Sequence, residues 1–138
     1  MKIKGWTGIL GAAVLTAGWL VSGQLRAETV LTDGYTLEDF NLHTAADLVD
    51  VCTITPGHPH YETARAFCYG FFEGGTHYHD AISTSPSYQR IVCNPPETTR
   101  TDAVKVFTAY IQANPQYASE APIDAIFRAL VDKWPCGE

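Results

Sequence analysis

Four cysteines, Cys52, Cys68, Cys93 and Cys136, constrain this sequence more than any other feature, because of what stands ahead of them. Residues 1–4 carry two lysines, and residues 5–21 (GWTGILGAAVLTAGWLV) carry no charge. Small residues follow, ending in Ala27. That order reads as a secretory signal peptide over residues 1–27, with cleavage after Gly23 as the other option. The 17 uncharged residues sit at the short edge of a membrane span, so an uncleaved anchor is the weaker reading. With no cysteine in the stretch, a lipoprotein anchor is not indicated. Either way, all four cysteines are exported.

An even cysteine count in a small exported domain reads as a disulfide framework. Three connectivities are open. The spacings of 16, 25 and 43 residues contain no C-x-x-C, so neither a zinc knuckle nor a thioredoxin-type redox pair is suggested. Sequential pairing, Cys52–Cys68 and Cys93–Cys136, is preferred, and a Cys52–Cys93 link would overturn it. Loop-closure entropy assigns those two bridges about 3 and about 4 kcal/mol. That is a large share of the roughly 5–15 kcal/mol that holds a domain folded.

The 138-residue chain less a 27-residue leader leaves 111, enough for one domain. Losing Lys2, Lys4 and Arg26 takes the 9 basic residues to 6 against 15 acidic ones, a net −9. Such a balance argues against a nucleic-acid partner, whose phosphates call for clustered Lys and Arg. With 46% hydrophobic and 12% aromatic residues, the chain is not a disordered one either.

Residues 28–43 have no clear periodicity and read as an extended or weakly helical lead-in to a domain at 44–138. Thr44 and Asp47 form a capping-box pattern that opens a short helix ending near Cys52. Thr53–His60, with two prolines and a glycine, is a loop. From Tyr61, the apolar positions Ala64, Phe67, Cys68, Phe71, Gly74/Gly75, Tyr78 and Ile82 follow helical spacing. Gly70 and Gly74 share one face of that helix, where missing side chains let another backbone approach. Glu73 and His77 beside them set this apart from the membrane version of the pattern.

Ser83–Glu97 is a long polar loop. Thr99 with Asp102 opens the next helix, with a stripe of Ala103, Val104, Phe107, Tyr110 and Ile111, ending before Pro115. Pro122 stands in the first turn of a last helix, where its missing N–H costs little. The stripe Ile123, Ile126, Phe127, Leu130, Val131 and Trp134 is the cleanest helical pattern, stopped by Pro135. Strand signals are nearly absent. The expected fold is all-α: a small four-helix bundle stabilised by two disulfides.

In order, Leu48…Cys52, Phe67-Cys68-Tyr69-Gly70-Phe71-x-x-Gly74, Cys93-Asn94-Pro95, Tyr110-Ile111-Gln112-Ala113-Asn114-Pro115 and Ala121-Pro122…Ala129-Leu130…Trp134-Pro135-Cys136 resemble the Tai/Rap family of type VI secretion amidase-immunity proteins. The resemblance covers residues 44 to 137. It implies an all-α protein of the Gram-negative periplasm that binds and inhibits a peptidoglycan amidase toxin, often as a homodimer. The sequence departs from the family pattern in its long Ser83–Glu97 loop and its His-rich Thr53–His60 loop.

Inhibition by binding needs a rigid scaffold and a projecting loop, and two disulfides supply the rigidity. Ser87, Tyr88, Gln89 and Arg90 are the candidate partner-binding residues, in a loop fixed at Cys93. Tyr and Arg are the types enriched at binding hot spots. The bland alternative packs Tyr88 on its own bundle and leaves Arg90 solvated. His58, His60, His77 and His79 are read as scattered surface histidines, since a helix points His77 and His79 in different directions. Hence no metal and no cofactor is expected. No G-x-S-x-G, H-E-x-x-H or phosphate-binding glycine loop is present. Cys68 lies on an apolar stripe and is read as a disulfide partner, not a thiol nucleophile. An enzyme is therefore not expected. The alternative function is a periplasmic acid-stress chaperone, which would expose apolar surface once its carboxylates protonate.

Overall fold

The structure, a computed structural model, describes residues 36–137. The expected signal peptide at 1–27 and most of the lead-in lie outside the described residues. A 3-10 turn over Leu37–Asn41 leads into α1 (Ala45–Cys52), α2 (Tyr61–Ile82), α3 (Arg100–Ala113) and α4 (Pro122–Lys133). A second 3-10 turn, Pro115–Tyr117, joins α3 to α4. Among the described residues the only extended pairing is one antiparallel bridge, Val92 with Pro135. The cysteines pair sequentially, with Cα separations of 5.3 Å for Cys52–Cys68 and 4.8 Å for Cys93–Cys136.

Both capping boxes form as the sequence predicts. The Thr44 amide donates to Asp47 Oδ2 at 2.8 Å and the Asp47 amide donates to Thr44 Oγ1 at 3.3 Å. Thr99 and Asp102 repeat the arrangement at the start of α3. Each pair satisfies amides that have no partner within the helix. Hydrogen bonding to Thr99 holds the Asp102 carboxyl below its usual range. At the far end of α3, Asn114 Nδ2 donates to the Tyr110 carbonyl at 2.9 Å before Pro115 stops the helix.

Helix α1 is short but central, packing on α2, α3 and α4. Its first amides are taken up by the α3–α4 connection: Ala45 N–H donates to Glu120 O and Ala46 N–H to Ala118 O, at 2.8 and 2.9 Å. Leu48, Val49 and Val51 are almost wholly removed from water. Burying each such side chain contributes about 1.5–3 kcal/mol, which an eight-residue helix needs to persist. On the other side of the core, Phe72 of α2 meets Phe107 of α3 edge-to-face at 5.5 Å.

The buried line of α2 differs from the stripe expected. Ala64, Cys68, Phe72 and His79 are buried, whereas Tyr78 is 69% exposed. Phe67 and Phe71 are half-buried flanks, and Phe67 packs edge-on against Phe40 of the lead-in at 5.0 Å. A helix with apolar residues across so wide an arc does not disclose its own centre. The position of α3 decides that Phe72, not Tyr78, faces inward.

Within the chain, the glycine that another element approaches is Gly75. A Cβ there would lie 2.7 Å from Ile123 Cδ1 of α4. Gly70 and Gly74 are exposed, and a Cβ on either would meet nothing within 4 Å.

Candidate partner-binding site

Three hydroxyl residues end α2 and begin the loop. Ser83 Oγ donates to the His79 carbonyl at 2.6 Å and Thr84 Oγ1 to the Ala81 carbonyl at 2.8 Å. The Ser85 amide bonds Ile82 O, and the Tyr88 amide bonds Ser85 O. These bonds satisfy carbonyls left open at a helix C-terminus and coil the chain tightly back on itself. The return end is fixed against the tail of α4. Cys93 N–H donates to Trp134 O at 2.9 Å, Cys136 N–H to Ile91 O at 3.4 Å, and the Cys93–Cys136 bridge closes beside them.

Between these anchors the candidate residues Ser87, Tyr88, Gln89 and Arg90 are all exposed. Tyr88 is 59% exposed and so does not pack on its own bundle. Arg90 is not free in solvent: its Nη1 donates to Asp80 Oδ1 at 2.6 Å, tying the loop to α2. Sequence reading missed Ile91, which is 46% exposed while its neighbour Val92 is buried. The only signal for it was an apolar pair in an otherwise polar loop, one residue of which had to face outward.

His79 corrects the reading of scattered surface histidines. Its residue is 7% exposed, its ring lies 5.1 Å from that of Phe127, and its Nε2 accepts a hydrogen bond from the Ile91 amide at 3.2 Å. His77, two positions earlier, stands in solvent with Nε2 3.8 Å from Glu73 Oε1. His58 and His60 lie in the loop before α2, the His60 amide donating to His58 Nδ1 at 3.2 Å. Among the described residues, no group of three or more His, Cys, Asp or Glu side chains is placed to hold a metal ion.

Past the end of the loop, where Val92 and Asn94 line it, lies a cleft of about 180 Å³ between α2, α3 and α4, also lined by Phe72, Phe127, Leu130 and Trp134. Glu73 and Arg100 cross its edge as a two-bond pair, at 3.0 and 2.7 Å. The hydrogen bonds from Arg100 hold the Glu73 carboxyl below its usual range. Four of the six described basic residues, Arg65, Arg90, Arg100 and Arg128, are spent in ion pairs with carboxylates of this chain. Most of the described basic charge is thus already neutralised within the chain, and acidic groups remain in excess. What these features can do together is bind: a stiff, covalently anchored loop presents two apolar side chains on an acidic body.

A family model described as Rap1a immunity proteins matches residues 44–136, about two-thirds of the chain. The match runs from the cap of α1 to the last cysteine, taking in all four helices, both disulfides and the loop. No curated protein matches the chain, and no solved structure does.

Proposed function

Because this chain belongs to the Rap1a immunity protein family, we propose that it binds and inhibits a peptidoglycan amidase toxin delivered by type VI secretion. Membership itself makes the protein an immunity protein with a toxin as its partner. The proposal adds the amidase target, the secretion route and the compartment, the Gram-negative periplasm reached through the leader at 1–27. Its action is occupation of the toxin, with no chemistry of its own.

The observation that carries this reading is the loop 83–91, held at both ends and displaying Tyr88 and Ile91. A loop already in its binding shape loses little conformational freedom on docking, which leaves more of the contact energy as affinity. The acidic surface would speed encounter with a basic wall-binding enzyme, so the association rate should fall as salt rises. A pull-down of the exported protein, disulfides intact, against secreted and periplasmic proteins of its source should recover an amidase. Calorimetry on the pair should then show Tyr88→Ala weakening binding by about 2 kcal/mol, roughly thirtyfold. Recovery of no amidase would sink the target assignment. Unchanged affinity in a Tyr88→Ala, Ile91→Ala double variant would sink the loop.

The homodimer joins the same proposal, with the open face of α2 at Gly70 and Gly74 as its contact. Alanine at both positions should raise monomer stability by about 1 kcal/mol each through helix propensity. The same change should weaken a dimer whose backbones meet there. Light scattering across concentration, read beside a chemical melt, separates the two effects. A dimer untouched by alanine at 70 and 74 rules out this contact.

A further inference from the structure

We propose that His79 is the positioning residue of the 83–91 loop, and that the loop is released when the imidazole gains a proton. The buried ring uses Nε2 as an acceptor for the Ile91 N–H at 3.2 Å. The neutral ring therefore carries its hydrogen on Nδ1, which lies 3.7 Å from Asp80 Oδ1. Protonation puts a hydrogen on Nε2, and two donors then face each other across the bond that fixes Ile91. The Ile91 amide, part-buried against the ring, then loses its acceptor and finds one by turning toward solvent, which draws the chain at Ile91 away from His79.

Charge acts in the same direction. The groups around the ring are Asp80 of α2, Arg90 of the loop through its bond to Asp80, the Glu73–Arg100 pair across the cleft, and the uncharged Phe127 ring of α4. Asp80 is the acceptor nearest the imidazolium Nδ1–H, and it is also the carboxylate that holds Arg90 at 2.6 Å. A cationic His79 competes with Arg90 for it. One proton thus acts on two side-chain ties of the loop, Arg90 to Asp80 and Ile91 to His79. The tie at Cys93, through Trp134 O and the disulfide, has no titratable group and persists.

The loop is then ordered while the His79 ring is neutral and loose once the ring is protonated. A partner gripped by the loop would be held tightly in the first state and weakly in the second. That consequence rests on the proposed function, but release of the loop does not. The test therefore needs no toxin.

Nuclear magnetic resonance on the exported protein, disulfides intact, would follow the His79 ring nitrogens and the amide protection factors from pH 7.5 to pH 5. As the ring takes up its proton, Ile91 protection should fall at least about tenfold with the same midpoint, the effect of losing one ordinary hydrogen bond. Cys93 should stay protected. His79→Gln keeps an acceptor without a titrating proton and should hold Ile91 protected throughout. His79→Leu should leave it unprotected at both ends of the range. Constant Ile91 protection while His79 protonates would overturn the proposal, as would a ring still neutral at pH 5 or a fall that persists in His79→Gln. If the variants do not fold, the wild-type titration decides alone.

Discussion

Alanine at both Cys93 and Cys136 is expected to lower the unfolding free energy by about 4 kcal/mol, the closure entropy of a loop of 43 residues. This bridge suits the test better than its companion. Cys93 is exposed and Cys136 half-buried, so their removal leaves little cavity. Cys68 is 1% exposed in the core, so opening Cys52–Cys68 adds lost packing to a smaller entropic effect of about 3 kcal/mol. The Val92–Pro135 bridge should then fray, since two backbone bonds would have to hold the α4 tail that the disulfide now fixes. Urea unfolding of the oxidised wild type beside the double variant reads the difference. A loss under 1 kcal/mol would mean that the closed loop is already restrained in the unfolded chain.

At pH 7, Asp50→Asn is expected to stabilise the protein by about 1–2 kcal/mol, and at pH 3.5 by almost nothing. Asp50 sits half-buried in the last turn of α1. Burial, and then the charges of Asp39 and Asp47, push its carboxyl from 3.8 up to about 6. Both neighbours are committed to capping, Asp39 to the Thr36 amide and Asp47 to the Thr44 amide, so neither can relieve the repulsion. The helix C-terminus adds its own negative end.

A folded-state value above the unfolded one means that the native protein binds this proton more tightly. The stabilisation is complete below about pH 3.8 and is lost as pH rises through about 6. A shift of this size would correspond to about 3 kcal/mol for a fully buried group, and solvent screening at the half-buried Asp50 carboxyl brings it to about 1–2 kcal/mol. Asparagine keeps the shape and never ionises, so it removes the cost only where the carboxylate bears it. Melts of both proteins at pH 3.5 and pH 7 check the point. An equal difference at the two values would show that Asp50 ionises in the fold without penalty.

Helix boundaries were legible in the sequence because they are local. Thr44 with Asp47, Thr99 with Asp102, and the prolines at 115, 122 and 135 act on amides and dihedrals within a few residues. The sequential pairing of the cysteines was preferred on spacing, and the structure bears it out. The loop carrying Tyr88 was legible as a loop, from its prolines and serines. Its two ties were not, since Asp80 lies 10 residues from Arg90 and His79 12 from Ile91. A histidine on an amphipathic helix looks the same whether it faces Phe127 or water.

Sequence by itself determined the four helices, where they start and stop, and the covalent framework of an acidic domain. Only the tertiary structure decided that Phe72 and His79 lie inside while Tyr78 lies outside, and that Asp50 meets two other carboxylates. The reason is one of range. Caps, prolines and periodicity are set by neighbours along the chain, whereas burial and charge environment depend on which helix arrives from elsewhere and at what rotation.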